Sequence, residues 1–487
     1  MSLDIVIINV PGTSSRAVPA AASVLKSAVE AHGFTCKTYD FNIRFFHETP
    51  IINQFAIESY FSSGECSDEK VITDAYQLIT RWAIEIIGLA PTYLGISVFT
   101  YQNRTATELF CNYIKHNSTI KIVIGGNGLS DAQSQSDSPF GINLLDRGLI
   151  DYYIKGDGEY SLIELLKENT TFPGINATDL VQTGDIDKLP FPNFDNYNLS
   201  LYEPLLPITG SRGCIRHCSF CDVHEHSRYK YRSGQRIVEE IIALSVKYQI
   251  YEFYFTDSLI NGNLKEFKIM CESLAEYNLS HEQKITWTGF FIVRGPKAHF
   301  KNYWQLIKDS GGKELRIGVE TGSDSVRAHM NKKFTNLDLD YTMEMLAEYQ
   351  ISCMFLLVVG YPTETLEDFN QTLLMFNRYI KYANHTIIDV TIGSTLSILV
   401  GTPLYKNAAD DNIELDKHEN NWIAHNNPEL TLIERLRRVD VLKAYLDKLG
   451  YKLNNSTEVH IQMLESSIPN FEIRNKIKKI IKIKNQV

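Results

Sequence analysis

Three cysteines stand close together in the segment SRGCIRHCSFCDV, at Cys214, Cys218 and Cys221. Thiolates are soft ligands that select zinc, copper(I) or iron–sulfur clusters. A structural zinc site needs four ligands, usually in two pairs, and the chain has no second C-x-x-C segment. A 4Fe-4S cluster also takes four ligands, so three cysteines would leave one iron open. The spacing therefore favours an open iron–sulfur cluster, with structural zinc completed by a nearby histidine as the alternative.

The segments around this loop predict a barrel. From about residue 205, strands and helices alternate regularly, with six strands and five intervening helices. A closed barrel of eight units needs about 250 residues, whereas roughly 200 are available here, which predicts a partial six-stranded (β/α)6 barrel over residues 205–405. Active sites of such barrels lie at the carboxyl ends of the strands, and the three cysteines follow the first strand.

Residues 1–182 predict a second α/β unit. About five continuous apolar strands alternate with helices, as in a Rossmann-like, doubly wound parallel sheet. Ligands bind at the carboxyl ends of such strands, although any single glycine there is explained equally by a tight turn. No G-x-G-x-x-G follows the first strand, so a dinucleotide is not indicated. The candidate ligand-binding residues are Pro11, Ser97, Thr100, Gly125, Gly126, Asn127, Gly156 and Gly158.

The remaining segments and the composition narrow the class of protein. Residues 183–204 contain Pro190 and Pro192 and predict a linker, and residues 406–487 predict a helical carboxyl-terminal region. The net charge of −10 over 487 residues disfavours nucleic acid as a partner. No apolar run reaches about 18 residues, which predicts no membrane span. The other five of the eight cysteines are scattered, which favours a reducing, cytoplasmic setting.

The array C-x-x-x-C-x-aromatic-C, after the first strand of a six-stranded barrel, resembles that of the radical S-adenosylmethionine (SAM) superfamily. The resemblance implies that Cys214, Cys218 and Cys221 bind a 4Fe-4S cluster whose open iron chelates SAM. One electron from the cluster would split SAM into methionine and a 5′-deoxyadenosyl radical, which abstracts hydrogen from an unactivated carbon. It also implies an electron donor such as flavodoxin or ferredoxin.

The resemblance further implies a set of SAM-binding residues. Family members present polar groups to the methionine ammonium after the second strand, contact the ribose and carboxylate from the fourth, and turn beside the adenine after the fifth. Helix capping is an alternative for Asp257 and Ser258, and a surface ion pair for Arg316. The residues at these positions here are Phe220, Thr256, Asp257, Ser258, Arg316, Glu320 and Gly360.

A Rossmann-like domain ahead of the barrel resembles the cobalamin-binding subclass of this superfamily. The similar segments are LGISVFTYQNRTATELFCNYIK, KIVIGGN and DYYIKGDGEYSLIELL. Many cobalamin domains supply a lower axial histidine from D-x-H-x-x-G, whereas the loop after the first strand here reads PGTSSRAVP. The resemblance therefore implies either cobalamin bound without that histidine or a domain that has lost the cofactor.

Three functions follow from these observations. The leading interpretation is a cobalamin-dependent radical SAM enzyme that methylates an unactivated carbon of a small molecule or peptide. The second keeps the radical chemistry but makes the amino-terminal domain a cobalamin-free docking module. The third is a zinc-stabilised binding protein without catalysis.

Overall fold

The structure, a computed structural model, describes residues 3–13, 16–129, 139–182, 184–416 and 419–453. The amino-terminal part forms a five-stranded parallel sheet in the order β2-β1-β3-β4-β5. Its strands are β1 (Ile5–Asn9), β2 (Cys36–Asp40), β3 (Tyr93–Ser97), β4 (Lys121–Gly125) and β5 (Tyr152–Ile154). Its helices are α1 (Ala20–Ala31), α2 (Phe41–Glu48), α3 (Ile51–Ser63), α4 (Glu69–Leu89), α5 (Arg104–Asn117), α6 (Phe140–Asp146) and α7 (Gly158–Leu166).

Helices cover both faces of this sheet. In β1, Ile5 and Ile7 pack with apolar residues of α1 and α7, whereas Val6 and Ile8 pack with those of α2 to α5. Strands buried on both faces need continuous apolar sequence, which is the pattern that predicted them. The doubly wound parallel sheet is therefore confirmed, and its strand order is the flavodoxin-like one.

The second part is a six-stranded parallel sheet in the order β13-β12-β11-β10-β9-β6, with β6 and β13 at its two edges. The predicted partial barrel is confirmed. Its strands are β6 (Leu205–Ile208), β9 (Glu252–Phe255), β10 (Thr286–Phe291), β11 (Gly312–Glu320), β12 (Ser352–Val359) and β13 (Ile387–Thr395), and a hairpin of β7 (Ser211–Arg212) and β8 (Lys230–Tyr231) follows β6. Its helices are α8 (Val223–His226), α9 (Gly234–Tyr248), α10 (Leu264–Ser280), α11 (Tyr303–Asp309), α12 (Asp324–His329), α13 (Asn336–Glu348) and α14 (Leu366–Arg378).

The barrel strands alternate between two environments. In β12, Cys353, Phe355, Leu357 and Val359 are buried, while the residues between them are half-buried. The buried set belongs to the large core that the surrounding helices share. Successive side chains of a strand point to opposite faces, so the half-buried set faces the interior of the barrel. The barrel interior is thus accessible from the open side.

The segment between the two sheets is packed rather than extended. Phe194 is fully buried in the barrel core, with its ring edge-on to Tyr248 at 5.5 Å. The backbone N–H of Phe194 donates to the Tyr248 hydroxyl at 2.9 Å. These contacts attach residues 184–204, predicted only as a linker, to α9.

The carboxyl-terminal part packs on the last barrel strands. It contains α15 (Pro403–Lys406), a hairpin of β14 (Ile413–Glu414) and β15 (Ile423–Ala424), and α16 (Leu432–Lys448). The predicted terminal helix in NKIKKIIKIKNQV lies outside the described residues. Within those residues, no helix combines the length and apolar character that crossing a membrane requires.

A buried carboxylate joins the ends of β6 and β9. Asp257 is 2% exposed, and it accepts hydrogen bonds from the Gly210 N–H at 2.9 Å and the Ser211 hydroxyl at 2.6 Å. Burial raises the pKa of Asp257 to about 7, although these hydrogen bonds oppose the shift. Asp257 therefore anchors the chain where it leaves the first strand of the barrel.

We expect Asp257→Asn to flatten part of the pH dependence of stability. Between pH 4 and pH 7 the folded chain holds a proton on Asp257 that the unfolded chain has lost, so wild-type stability falls as pH rises through this window. Relative to the wild type, the free energy of unfolding of the variant should therefore rise by about 1.4 kcal/mol per pH unit within this window. Above the window, the difference between the two proteins should stay constant. Denaturant titrations at several pH values measure it. Parallel curves for the two proteins would contradict this assignment.

A buried ion pair attaches α16 to the turn after β12. Arg438 Nη1 lies 2.8 Å from Glu364 Oε1, with side chains 3% and 2% exposed. Arg438→Met leaves a buried carboxylate without its cation, and we expect a loss of about 3–5 kcal/mol in the free energy of unfolding at pH 8. The control is Lys313→Met, which removes an exposed pair with Glu252 and should cost less than about 1 kcal/mol. Equal losses in the two variants would contradict the expectation.

Candidate active site

The cysteine loop, residues 213–229, begins and ends at the short hairpin of β7 and β8. Ser211 pairs with Tyr231 and Arg212 with Lys230, so the two ends of the loop meet at this hairpin. Gly213 has a φ of +71°, and a Cβ there would lie 2.6 Å from the Arg228 carbonyl carbon. A side chain at this position would therefore push the arms of the loop apart.

The tip of the loop is held by the segment after α12. The Ser219 N–H donates to the Met330 carbonyl at 3.1 Å, and the Ser219 and Tyr361 hydroxyls are 2.9 Å apart. The Asn331 amide donates to the His217 carbonyl at 2.6 Å. The cysteine-bearing turn is thus held in place by contacts of Ser219 and His217, which lie between the cysteines.

The three thiols are partly buried and lie near positive charge. The Arg216 N–H donates to Cys214 Sγ at 3.3 Å. Burial raises the pKa of all three thiols, that of Cys221 to about 12, while the Lys332 cation opposes the shift at Cys214 and Cys218. A nearby cation and an N–H donor both favour the thiolate form that metals bind.

The positions of the three thiols bear on whether they hold a cluster or a single ion. Among the described residues, no three His, Cys, Asp or Glu side chains are grouped so that they could hold one metal ion. A tetrahedral zinc site brings every sulfur within about 2.3 Å of one centre. In a 4Fe-4S cube each cysteine binds a different iron, so the three sulfurs stay further apart.

Glu320, at the end of β11, has an unusual backbone conformation. Its φ is +64°, in the left-handed region, and the pairing of β11 with β12 shifts register between Gly318 and Glu320. Its carboxylate accepts from Lys332 Nζ at 2.7 Å, and both side chains are largely buried. A non-glycine residue in this conformation costs about 1–3 kcal/mol and is typical of functional sites.

A cavity of about 620 Å³ lies between the amino-terminal sheet and the barrel. Its walls include the carboxyl ends of strands from both sheets, the ends at which parallel α/β folds bind ligands. Six of the eight residues predicted at the amino-terminal strand ends line it, namely Ser97, Gly125, Gly126, Asn127, Gly156 and Gly158. Of the residues predicted to bind SAM, it is lined by Thr256, Ser258 and Arg316.

Several predicted residues lie elsewhere. Pro11 and Thr100 are outside the lining, because Asn103 draws their loops together by donating to the Pro11 carbonyl and accepting from the Thr100 N–H. Asp257 was expected to face the barrel mouth, but it lies buried beneath the cavity with its oxygens committed to Gly210 and Ser211.

Two more of the residues predicted to bind SAM pack against neighbouring residues outside the cavity. Phe220 packs against an apolar cluster that includes Tyr361. Gly360 has a φ of +78°, and a Cβ there would lie 2.6 Å from the Arg435 side chain of α16. Phe220 lies at the tip of the cysteine loop and Gly360 in the turn after β12, so neither belongs to the cavity wall.

Sequence reasoning missed several polar residues of the cavity wall. They include Asn9, Asp40 and His226. Burial raises the pKa of Asp40 to about 6, although it accepts hydrogen bonds from Tyr202 and two backbone N–H groups. His226 Nε2, at the end of α8, lies 3.0 Å from Oδ2 of Asp222, the residue before that helix. The D-x-H pattern does not detect this pairing, because the two residues are four apart.

Comparison with known proteins agrees with this architecture. Residues 208–376 match the radical SAM superfamily. An uncharacterized methyltransferase of Pyrococcus horikoshii is 21% identical over 377 residues, which cover 73% of this chain and 75% of the relative.

Two solved structures share the fold of both parts of the chain. One is the radical S-adenosylmethionine methyltransferase TsrM from Kitasatospora setae with cobalamin and a 4Fe-4S cluster bound, with a TM-score of 0.62, 16% identity and coverage of 85% of this chain and 79% of that one. The other is the cobalamin-dependent S-adenosylmethionine radical enzyme OxsB with aqua-cobalamin bound, with a TM-score of 0.65, 15% identity and coverage of 99% and 71%.

The family match covers most of the barrel, including the cysteine loop. This match favours a radical SAM enzyme over a zinc-stabilised binding protein without catalysis. The chain is a radical SAM enzyme, and its radical SAM domain lies at residues 208–376.

Proposed function

We propose that this chain is a cobalamin-dependent radical SAM methyltransferase that acts on a carbon of a small molecule or peptide. The observation that carries the proposal is the single cavity bounded by the strand ends of both sheets, next to the hairpin that closes the cysteine loop. The methyltransferase name of the Pyrococcus horikoshii relative and the cobalamin bound in TsrM and OxsB support it.

In this proposal, Cys214, Cys218 and Cys221 hold a 4Fe-4S cluster. When bound, the cluster would supply the electron that splits SAM into methionine and a 5′-deoxyadenosyl radical, and cobalamin would carry the methyl group. Lys332 supplies positive charge next to the thiolates. The electron would come from an external donor such as flavodoxin or ferredoxin.

SAM would lie between the cysteine loop and the cavity. Thr256 and Ser258, after β9, line the cavity and would face the methionine ammonium, with the Thr256 hydroxyl also bonded to that of Thr209 at 2.8 Å. Asp257 keeps the backbone between them in position. Glu320 would contact the ribose, with Lys332 next to the methionine carboxylate. Phe220 and the turn at Gly360 would form the adenine side, and Arg316 would face the substrate from the barrel interior.

The amino-terminal wall of the cavity suits a large, flat ligand with amide groups. Gly125, Gly126 and Gly156 line this wall with backbone only. Gly126 and Gly156 have positive φ, and a Cβ on either would collide with the carbonyl oxygen of Val98 or Val181, so the turns that form this wall require glycine. Asn9 is 8% exposed, and its Oδ1 has no hydrogen-bond partner in the part of the chain that the structure describes. An amide donor from a corrinoid periphery would satisfy this orphaned acceptor.

A second candidate function keeps the radical chemistry without cobalamin. The loop after β1 contains no histidine, which is the observation that favours it. The same cavity would then hold only the substrate or a docking partner. Corrinoid uptake by the purified protein separates the two functions.

We expect the variant with Cys214, Cys218 and Cys221 all replaced by Ala to lose its cluster. Anaerobic reconstitution with iron and sulfide should give roughly four irons per wild-type chain and almost none in the variant. The brown absorbance and deoxyadenosine formation should disappear together. Cys111→Ala and Cys271→Ala, at fully buried positions, are the controls and should keep the iron. A triple variant that still carries an intact cluster would contradict the assignment.

We also expect cobalt to be bound without a protein imidazole. Cobinamide lacks the base of cobalamin, so its cobalt(II) form bound to the chain should show no nitrogen splitting in electron paramagnetic resonance. The variant His226→Gln removes the one imidazole among the described residues that line the cavity. A splitting that is present in the wild type and lost in this variant would identify His226 as a ligand. Failure to bind any corrinoid, with the cluster intact, would favour the second candidate.

A further inference from the structure

Four charged residues join the base of the cysteine loop to the amino-terminal domain. Arg212 Nη1 lies 2.8 Å from Asp157 Oδ1, and Arg212 Nη2 lies 2.5 Å from Glu159 Oε1. Lys230, opposite Arg212 in the hairpin, lies 3.1 Å from Asp157 Oδ2. Both strands of the hairpin therefore contact the first turn of α7 through charge-assisted hydrogen bonds. We call these four residues the clamp.

The two carboxylates of the clamp are almost fully buried. The Asp157 and Glu159 side chains are only 6% and 7% exposed, and that of Arg212 is 22% exposed. Burial alone would raise the pKa of Glu159, but the attraction of Arg212 outweighs burial and lowers it. The guanidinium contacts both carboxylates, a geometry in which a planar fork fixes orientation as well as distance.

The position of the clamp connects two sites. Asp157 and Glu159 lie where the chain passes from β5 into α7, and both line the cavity, while Arg212 precedes Cys214 by two residues. A second contact between the cysteine loop and the preceding part of the chain lies beside the clamp, because the Gln182 amide donates to the Ser227 hydroxyl at 2.8 Å. The cysteine loop is thus attached to the same strand end that borders the cavity.

A role in stability alone would not require the clamp to lie at the base of the cysteine loop. Arg16 and Glu203 form another ion pair between the amino-terminal domain and the segment that precedes the barrel, at 2.7 Å. Its side chains are 62% and 48% exposed, and it does not contact the cysteine loop. Exposed pairs of this kind contribute about 0–1 kcal/mol. The clamp, by contrast, is buried and attached to the ligand-bearing loop.

We propose that Arg212 is a positioning residue that fixes the separation between the cluster held by the cysteine loop and the corrinoid held in the cavity. The proposal rests on the proposed function. Arg212 itself lines the cavity, but the contacts that carry this role are its ion pairs with Asp157 and Glu159. It acts through Asp157 and Glu159, which belong to the domain on the other side.

The separation of two paramagnetic centres can be measured without turnover. Protein reconstituted with iron and sulfide is loaded with aquacobalamin and reduced with dithionite, so that cobalt(II) and the reduced cluster are both paramagnetic. Their dipolar interaction broadens the cobalt(II) resonance and weakens with the cube of the distance. The variants are Arg212→Met, Arg212→Lys and Glu159→Gln, with Arg16→Met as the exposed interdomain control.

We expect Arg212→Met, compared with the wild type at equal iron and corrinoid content, to show at least a twofold loss of the broadening. Arg212→Lys keeps the charge without the planar guanidinium, so its broadening should lie between that of the wild type and that of Arg212→Met. The broadening in Arg16→Met should equal that of the wild type. Wild-type broadening in Arg212→Met would overturn the proposal. If Arg212→Met fails to load, Glu159→Gln decides: reduced broadening supports the clamp, and wild-type broadening overturns it. Wild-type protein that takes up cluster but no corrinoid would overturn the proposed function, and the clamp with it.

Discussion

The functional side of this molecule depends on closing the cysteine loop at its base. A hairpin with two residues in each strand contributes too few hydrogen bonds to hold a loop of this length alone. Two buried sets of carboxylates supply the remaining contacts that hold the base of the loop. Asp257 anchors the chain from the barrel side, and Asp157 with Glu159 anchors it from the amino-terminal side. Both sets lie in low-dielectric surroundings, where such contacts are strong only when fully paired.

This constraint explains the packing between the two sheets. The carboxyl ends of both sets of parallel strands border one cavity, and the segment from 184 to 204 lies against α9 through Phe194. A loosely tethered linker would let the cavity open and close. The buried aromatic contact attaches this segment to the barrel, and the clamp attaches the cysteine loop to the amino-terminal domain.

The sequence was sufficient for the fold, because buried parallel strands follow from local patterns, whereas the cluster at the three thiols stays a prediction. Continuous apolar runs predicted buried parallel strands, and the cysteine spacing predicted an open cluster. The sequence was not sufficient for the clamp, since Arg212 and Asp157 are 55 residues apart and each reads as an ordinary surface charge. It misjudged Asp257 for a similar reason: a carboxylate after a strand looks the same whether it faces a ligand or the backbone of a neighbouring strand.

The cavity itself has two chemically different halves. The wall from the amino-terminal sheet is mostly glycine and aliphatic residues, among them Gly95, Ile96 and Ile124. The wall from the barrel carries polar and charged groups, with Arg316 over the Phe290 ring at 5.9 Å and 3.3 Å from Glu314. A flat, largely apolar ligand matches the first wall, while a polar substrate with a fixed orientation matches the second. Under the proposed function, the first wall would therefore face the methyl carrier and the second wall the methyl acceptor, with the base of the cysteine loop between them.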